Sequence, residues 1–328
     1  MQLSQALAEA LKEAKEKISE RKKRIIVQIP EGLKQYTVEI EDSLREVAEE
    51  IFVCVDPCFG ACDLAEEKAR KINAELILHF GHNEFYKPSI KTIFIPLKFS
   101  ISENLIKNLI KRLESEKFYN VGLCANVQYL NEIEKVAKAL ESNAINVFVG
   151  KSKNGILAQI LGCDFSSAEA IADDIQIIVF IGDGLFHPLG IIFATRKKVM
   201  QVDPINESIK ILNSEKDAFL MQRFAAIEFF KKAKKIGIMI STKKGQFRLE
   251  KALELKRKIE NSGKEAILLI GDFLFAEYFT GIKVDCFVNT ACPRIAIDDY
   301  ANFKVPILNT AEVEIALAQR KLAHYKLL

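Results

Sequence analysis

The chain has 328 residues, 49% hydrophobic and 28% charged. That is enough for a sizeable buried core and too long for one small domain. A net charge of +3 is too mild for nucleic-acid binding, which needs a concentrated basic face, and the absence of long low-complexity segments argues against disorder beyond the termini.

The first 24 residues are rich in Ala, Glu and Lys with helical periodicity, and lack the uninterrupted apolar stretch of a secretory signal. The longest apolar runs, 175–182 and 266–271, are strand-length, well short of the roughly 20 residues that span a bilayer. The expectation is a cytoplasmic chain without a membrane segment. Seven cysteines, an odd number without a signal, fit reduced thiols better than a disulfide framework.

In chain order, short apolar runs alternate with helical stretches. Strands are predicted at 24–30, 51–55, 75–80 and 92–97; at 120–125, 145–149, 176–181 and 198–202; and at 235–240, 265–270, 285–289 and 305–309. The three groups start roughly 95 to 115 residues apart, a domain-sized repeat. Apolar strands separated by helices signal parallel sheets covered on both faces. The fold class predicted is α/β, with three similar domains, each a four-stranded parallel sheet flanked by helices: 1–102, 103–214 and 215–328. The junctions fall near 99–103 and 206–216.

The chemistry gathers in the loops. Val53 to Leu64 reads Val-Cys-Val-Asp-Pro-Cys-Phe-Gly-Ala-Cys-Asp-Leu: a strand broken at Asp56-Pro57, a loop of small residues, then a helical run. Cys62 thus sits in a strand-to-helix loop, where parallel α/β proteins place their chemistry. Cys163, in Leu161-Gly162-Cys163-Asp164, and Cys292, in Thr290-Ala291-Cys292-Pro293-Arg294, sit in similar loops. Three loop cysteines from distant parts of one chain suit a three-thiolate metal site, although each also reads as a small buried hydrophobe. Cys54, Cys124 and Cys286 lie in or beside strands and read as core. Cys58 is ambiguous; with Cys54 and Cys62 it gives Cys-x-x-x-Cys-x-x-x-Cys, which is not the Cys-x-x-x-Cys-x-x-Cys of standard radical S-adenosylmethionine (SAM) enzymes.

Two third-strand loops add polar candidates, Gly81-His82-Asn83-Glu84 and Gly182-Asp183-Gly184-Leu185-Phe186-His187. Their small residues allow close approach of a ligand to backbone, with ordinary turn chemistry as the alternative. Arg294 could grip a carboxylate bidentately or form a structural ion pair. His79 reads as a satisfied core residue and His324 as solvent-facing. Lys231, Lys232, Lys234, Lys235, Lys243 and Lys244 read as a solvated basic face.

On the residues 56–64, Gly81-His82, Leu161-Gly162-Cys163, Gly182 to His187 and 289–295, the chain resembles the diphthamide-synthase family in its archaeal, homodimeric form, over essentially its whole length. The resemblance implies a [4Fe–4S] cluster held by Cys62, Cys163 and Cys292, with Cys58 outside the ligand set. It implies SAM on the open iron. Because three strand ends converge on one cleft with backbone exposed by glycine, Gly81, His82, Asp183, Gly184 and His187 are expected to line its pocket, with Arg294 as the candidate partner of a carboxylate. The implied reaction is the first step of diphthamide biosynthesis, run as a non-standard radical SAM process. The 3-amino-3-carboxypropyl group moves from SAM to C2 of a histidine imidazole in elongation factor 2, with reductive cleavage of the sulfur–Cγ bond and release of methylthioadenosine. An external one-electron reductant is implied as well. The alternatives are a quinolinate synthase-like [4Fe–4S] dehydratase, which shares the three-unit plan, and a zinc-stapled binding protein.

Overall fold

The computed structural model describes residues 2–318 and Tyr325; His324 lies outside the described residues. The first sheet is built from β1 (Lys22–Gln28), β2 (Ala48–Cys54), β3 (Leu76–Phe80) and β4 (Thr92–Ile95) in the order β2-β1-β3-β4, all parallel. The second comprises β5 (Asn120–Ala125), β6 (Asn146–Phe148), β7 (Ile177–Ile181), β8 (Lys198–Asp203) and β9 (Ser208–Ile211), ordered β6-β5-β7-β8-β9. The third repeats the first with β10 (Lys235–Ser241), β11 (Glu265–Gly271), β12 (Cys286–Asn289) and β13 (Ile307–Asn309), ordered β11-β10-β12-β13.

The inner strands explain the parallel pairing. Every residue of β3 and of β7 is buried, as expected where helices cover both faces of a sheet. In each sheet the first strand is central, with the second on one side and the third on the other. The carboxyl ends that flank it are therefore neighbours, which is where ligands bind in open α/β sheets.

One element departs from the sequence reading. The second sheet has a fifth strand, β9, antiparallel to β8 with Met200 opposite Ile211 and Asp203 opposite Ser208. It occupies the stretch read above as a junction. Asp203 Oδ1 closes the hairpin by accepting from the N–H groups of Ile205 and Asn206 at 2.9 and 3.1 Å. Ser208-Ile209-Lys210-Ile211 alternates exposed and half-buried residues, the signature of an edge strand.

The second and third sheets share packing. The helix Phe186–Thr195 contributes Phe186, Leu189 and Phe193 to a cluster that also holds Phe219, Ile227 and Phe230 of the long helix Ser214–Lys232. That long helix carries Arg223, fully buried, into an ion pair with Glu312 at 2.5 Å. Arg223 also donates to the carbonyls of Ala296 and Ile307 at 2.6 and 2.8 Å, and the Tyr325 hydroxyl donates to Glu312 at 2.7 Å. Glu312 in turn caps its own helix through Asn309. A buried pair whose charged atoms are all hydrogen-bonded escapes most of the desolvation penalty. Among the described residues, no helix is long and apolar enough to cross a membrane.

Candidate active site

Each loop cysteine is held by its own local device. After β2, the turn is closed by Asp63 N–H to Gly60 C=O at 3.2 Å. Gln28 on β1 fastens the chain just past Cys62: its amide nitrogen donates to Asp63 C=O at 2.6 Å and its oxygen accepts from Ala65 N–H at 3.1 Å. Cys163 lies in a tight turn in which Leu161 and Asp164 exchange backbone hydrogen bonds. Gly162 provides the φ of +52° that this turn needs. Phe165 anchors the turn against Gly190, where a Cβ would stand 2.0 Å from the ring. Cys292 follows β12. Its carbonyl accepts from Asn289 at 2.7 Å, and Asn309 donates to Pro293 C=O at 3.1 Å.

These loops converge on a cavity of about 560 Å³. Cys62, Cys163 and Cys292 all line it, as do His82, Asp183, Gly184, His187 and Arg294. Gly81 is absent from the lining; it is buried behind His82 with φ +89°, and a Cβ there would meet Pro30 at 3.0 Å. Cys58 is buried outside the lining too, beside His79 and His82.

The three thiols feel one another. Burial pushes Cys163 up to about 12, with the neighbouring Cys292 and Cys62 adding to the shift. Burial raises Cys292 to about 11 and also raises Cys62, which Gln246 opposes by donating to its sulfur at 3.4 Å. Such thiols ionise only for a strongly held cation. They are also set too wide for a single ion. Among the described residues, the group whose ligand atoms all fall within 4.8 Å of one another is Cys58, His79 and His82, whereas thiolates on one tetrahedral zinc stand about 3.8 Å apart. Three soft donors spread across a cavity wall fit a polynuclear iron–sulfur cluster.

The remaining lining is basic and aromatic. Arg294 bonds Asp298 at 2.6 Å and lies 5.4 Å over the Phe186 ring. Burial, with the Arg294 charge adding to it, lowers His187 and His82 each to about 4, while the Phe80 carbonyl favours the charged form of His82. His79 is fully buried and hydrogen-bonded, in line with its reading as a satisfied core residue.

Some features escaped the sequence reading. Lys243 does not belong to a solvated face, whereas Lys244 is exposed as expected. The Lys243 side chain is buried, ion-paired with Asp63 and 3.5 Å over the Phe273 ring, and Lys244 pairs with Glu66 at 3.3 Å. The loop after β10 is therefore a clasp on the Cys62 loop, and it brings Gln246 and Arg248 into the cavity. Asn126, at the end of β5, also lines the cavity; its Oδ1 has no hydrogen-bond partner among the described residues. The signal for both was position, since each follows a first strand as the cysteine loops follow later ones.

Three related α/β sheets with one thiol each at a common cavity define the class: a three-unit α/β protein with a cysteine-lined central cavity. A model of the family described as putative diphthamide synthesis protein matches residues 29–326. The chain is 34% identical to the 2-(3-amino-3-carboxypropyl)histidine synthase of Pyrococcus horikoshii, over 91% of this chain and 87% of that one. It is 30% identical to the synthase of the same name from Methanocaldococcus jannaschii, over 92% and 86%. The crystal structure of Dph2 from Pyrococcus horikoshii with a 4Fe-4S cluster superposes with a TM-score of 0.85 at 31% identity, covering 98% of this chain and 92% of that one. The chain belongs to the diphthamide synthesis family.

Proposed function

We propose that this chain catalyses the first step of diphthamide biosynthesis. It transfers the 3-amino-3-carboxypropyl group of SAM to C2 of a histidine imidazole in elongation factor 2, cleaving the sulfur–Cγ bond and releasing methylthioadenosine. The observation that carries the reading is the convergence of Cys62, Cys163 and Cys292 on one cavity, in a chain whose relatives bear the synthase name. These three residues are the proposed ligands of a [4Fe–4S] cluster. When bound, the cluster supplies a low-potential electron and an iron without a protein ligand.

The other residues have definable tasks. Arg294 offers a cation that a substrate carboxylate can share with Asp298. Asp183 and the exposed backbone at Gly184 face the same space and suit the amino and ribose groups of SAM. His187, half-buried and uncharged, offers a neutral polar edge beside Phe186. In this reading the enzyme works as a cytoplasmic homodimer, with an external one-electron reductant and elongation factor 2 as partners.

The test is anaerobic incubation of the reconstituted protein with dithionite, labelled SAM and elongation factor 2. Methylthioadenosine and a protein adduct with the mass of the aminocarboxypropyl group are expected. Chiefly 5′-deoxyadenosine would indicate standard radical SAM cleavage, and S-adenosylhomocysteine a methyltransferase. Either product sinks the reading.

A further inference from the structure

The reaction proposed above has an unassigned proton. The sulfur–Cγ bond of SAM breaks, a bond from Cγ to imidazole C2 forms, and methylthioadenosine leaves. The electron that opens the sulfonium is returned before the ring regains aromaticity, so no net electron is consumed. What remains is the hydrogen on C2, which departs as a proton and needs an acceptor.

The cavity offers few. Cys62, Cys163 and Cys292 are the proposed cluster ligands, Arg294 is a cation, and Asp298 is committed to Arg294. Asp183 is exposed and reached by Asn126 at 3.4 Å. Of the two imidazoles, His187 packs edge and face against Phe186 and Phe180. His82 ends a chain of hydrogen bonds whose polarity can be read.

That chain starts at Gln28. Asp63 C=O can only accept and Ala65 N–H can only donate, so the amide of Gln28 has one possible orientation. Its oxygen faces His79 Nδ1 at 3.0 Å, and Nδ1 must therefore carry the hydrogen. In a neutral ring this leaves His79 Nε2 bare. Nε2 faces His82 Nδ1 at 3.0 Å, and His82 must carry its hydrogen there. The bare nitrogen of the pair is then Nε2 of His82, on a ring that lines the cavity.

We propose that His82 is a catalytic residue that accepts the C2 proton at Nε2, and that His79 and Gln28 are positioning residues that hold its tautomer. The assignment rests on the transfer reaction proposed above. Burial and the Arg294 charge keep His82 unprotonated before the reaction, the Phe80 carbonyl offsets them in part once the ring takes the proton, and His79 holds the ring by its 3.0 Å hydrogen bond. Gln28 also fastens the Cys62 loop, so the base and one proposed cluster ligand are registered to the same strand.

The experiment uses the reconstituted full chain and elongation factor 2 carrying protium or deuterium at C2 of the target histidine. His82→Ala should slow adduct formation by about 100-fold or more, as loss of a general base does. Methylthioadenosine should still form in a single turnover, with unchanged iron content. A deuterium isotope effect absent from the unaltered enzyme should appear, and added imidazole should restore part of the rate. His82→Asn, closer in size, guards against collapse of the cavity and should behave alike. Gln28→Leu should show the same isotope effect. Adduct formation within about 2-fold of normal in both His82 variants, without an isotope effect, overturns the assignment. So does a parallel loss of methylthioadenosine, which would mark His82 as a binding residue. One equivalent of zinc that disappears with Cys58→Ala would also overturn it, because the ring nitrogens would then be ligands. If the unaltered enzyme forms neither product, the underlying reaction is what fails.

Discussion

The N–H of Gly245 donates to the carbonyl of Cys62 at 3.0 Å, and a Cβ on Gly245 would stand 2.5 Å from that oxygen and 2.7 Å from the Cys62 Cα. Both neighbours are backbone, so nothing flexible can give way. The clasp from the third sheet closes on the first only because residue 245 is glycine. Gly245→Ala should displace the Cys62 loop and lower iron per chain while leaving the helical signal and the melting temperature nearly unchanged. Gln246→Ala should weaken cluster retention about 10- to 100-fold, as loss of a partner to a metal ligand usually does. Iron and sulfide analysis after anaerobic reconstitution reads both, and a full complement in Gly245→Ala would show the clasp to be dispensable.

A second prediction separates the cavity cysteines from the core ones. Cys62→Ala, Cys163→Ala and Cys292→Ala should each strip most of the cluster absorbance. Cys124→Ala removes a fully buried thiol in the packing between sheets and should keep it, at a modest cost in stability. Any loop variant that retains a normal complement leaves the ligand set.

Sequence carried the sheets because β7 is an uninterrupted apolar run and β3 is apolar but for His79, and it carried the cysteine loops because Pro57, Gly162 and Pro293 mark sharp turns at strand ends. It failed where a residue's environment comes from far along the chain. Lys243 looks solvated among its neighbours, yet Asp63, 180 positions away, takes its charge. Gln28 looks like one polar residue in a strand until Asp63, Ala65 and His79 close around its amide. The strand β9 was missed for a local reason: four residues with one half-buried face carry little apolar signal among the polar residues of 206–216.

Acid should unfold this protein earlier than its carboxylates alone would dictate. Burial lowers His79 to about 3 and His82 and His187 to about 4, from an ordinary 6.5. The unfolded chain therefore takes up protons as pH falls through 6.5 while the native rings stay neutral. Their contribution is complete above pH 6.5 and drains away down to about pH 4 for His82 and His187 and about pH 3 for His79. Glu66 acts lower. Burial works against its charge, but hydrogen bonds from Ser89, Tyr86 and Lys244 bring it to about 2, so its contribution is lost only below 4.5. Urea midpoints measured from pH 7.5 to 5 should fall, and His79→Gln should flatten that fall. A midpoint constant across this range would contradict buried neutral histidines.

The last prediction concerns Arg223 and Glu312, because their pair supports the Cys292 loop from behind. Arg223 donates to Ala296 C=O, within the short helix Arg294–Ile297 that follows Cys292. Glu312 holds Asn309, whose side chain donates to Pro293 C=O. Removing one partner leaves a charge buried without compensation. Arg223→Met and Glu312→Leu should each cost about 3 to 5 kcal/mol, read as a shift in the urea midpoint. The double variant leaves no orphaned charge and should recover much of that loss, since apolar replacement of a whole buried pair is often neutral. Stability and cluster binding should then part company. Even when the double variant is folded, Ala296 has lost a donor and Asn309 its carboxylate partner, so the Cys292 loop is less well fixed. Iron content should therefore stay low in the double variant although its urea midpoint recovers. Recovery of both together would mean that the pair serves the core alone and does not reach the proposed cluster site.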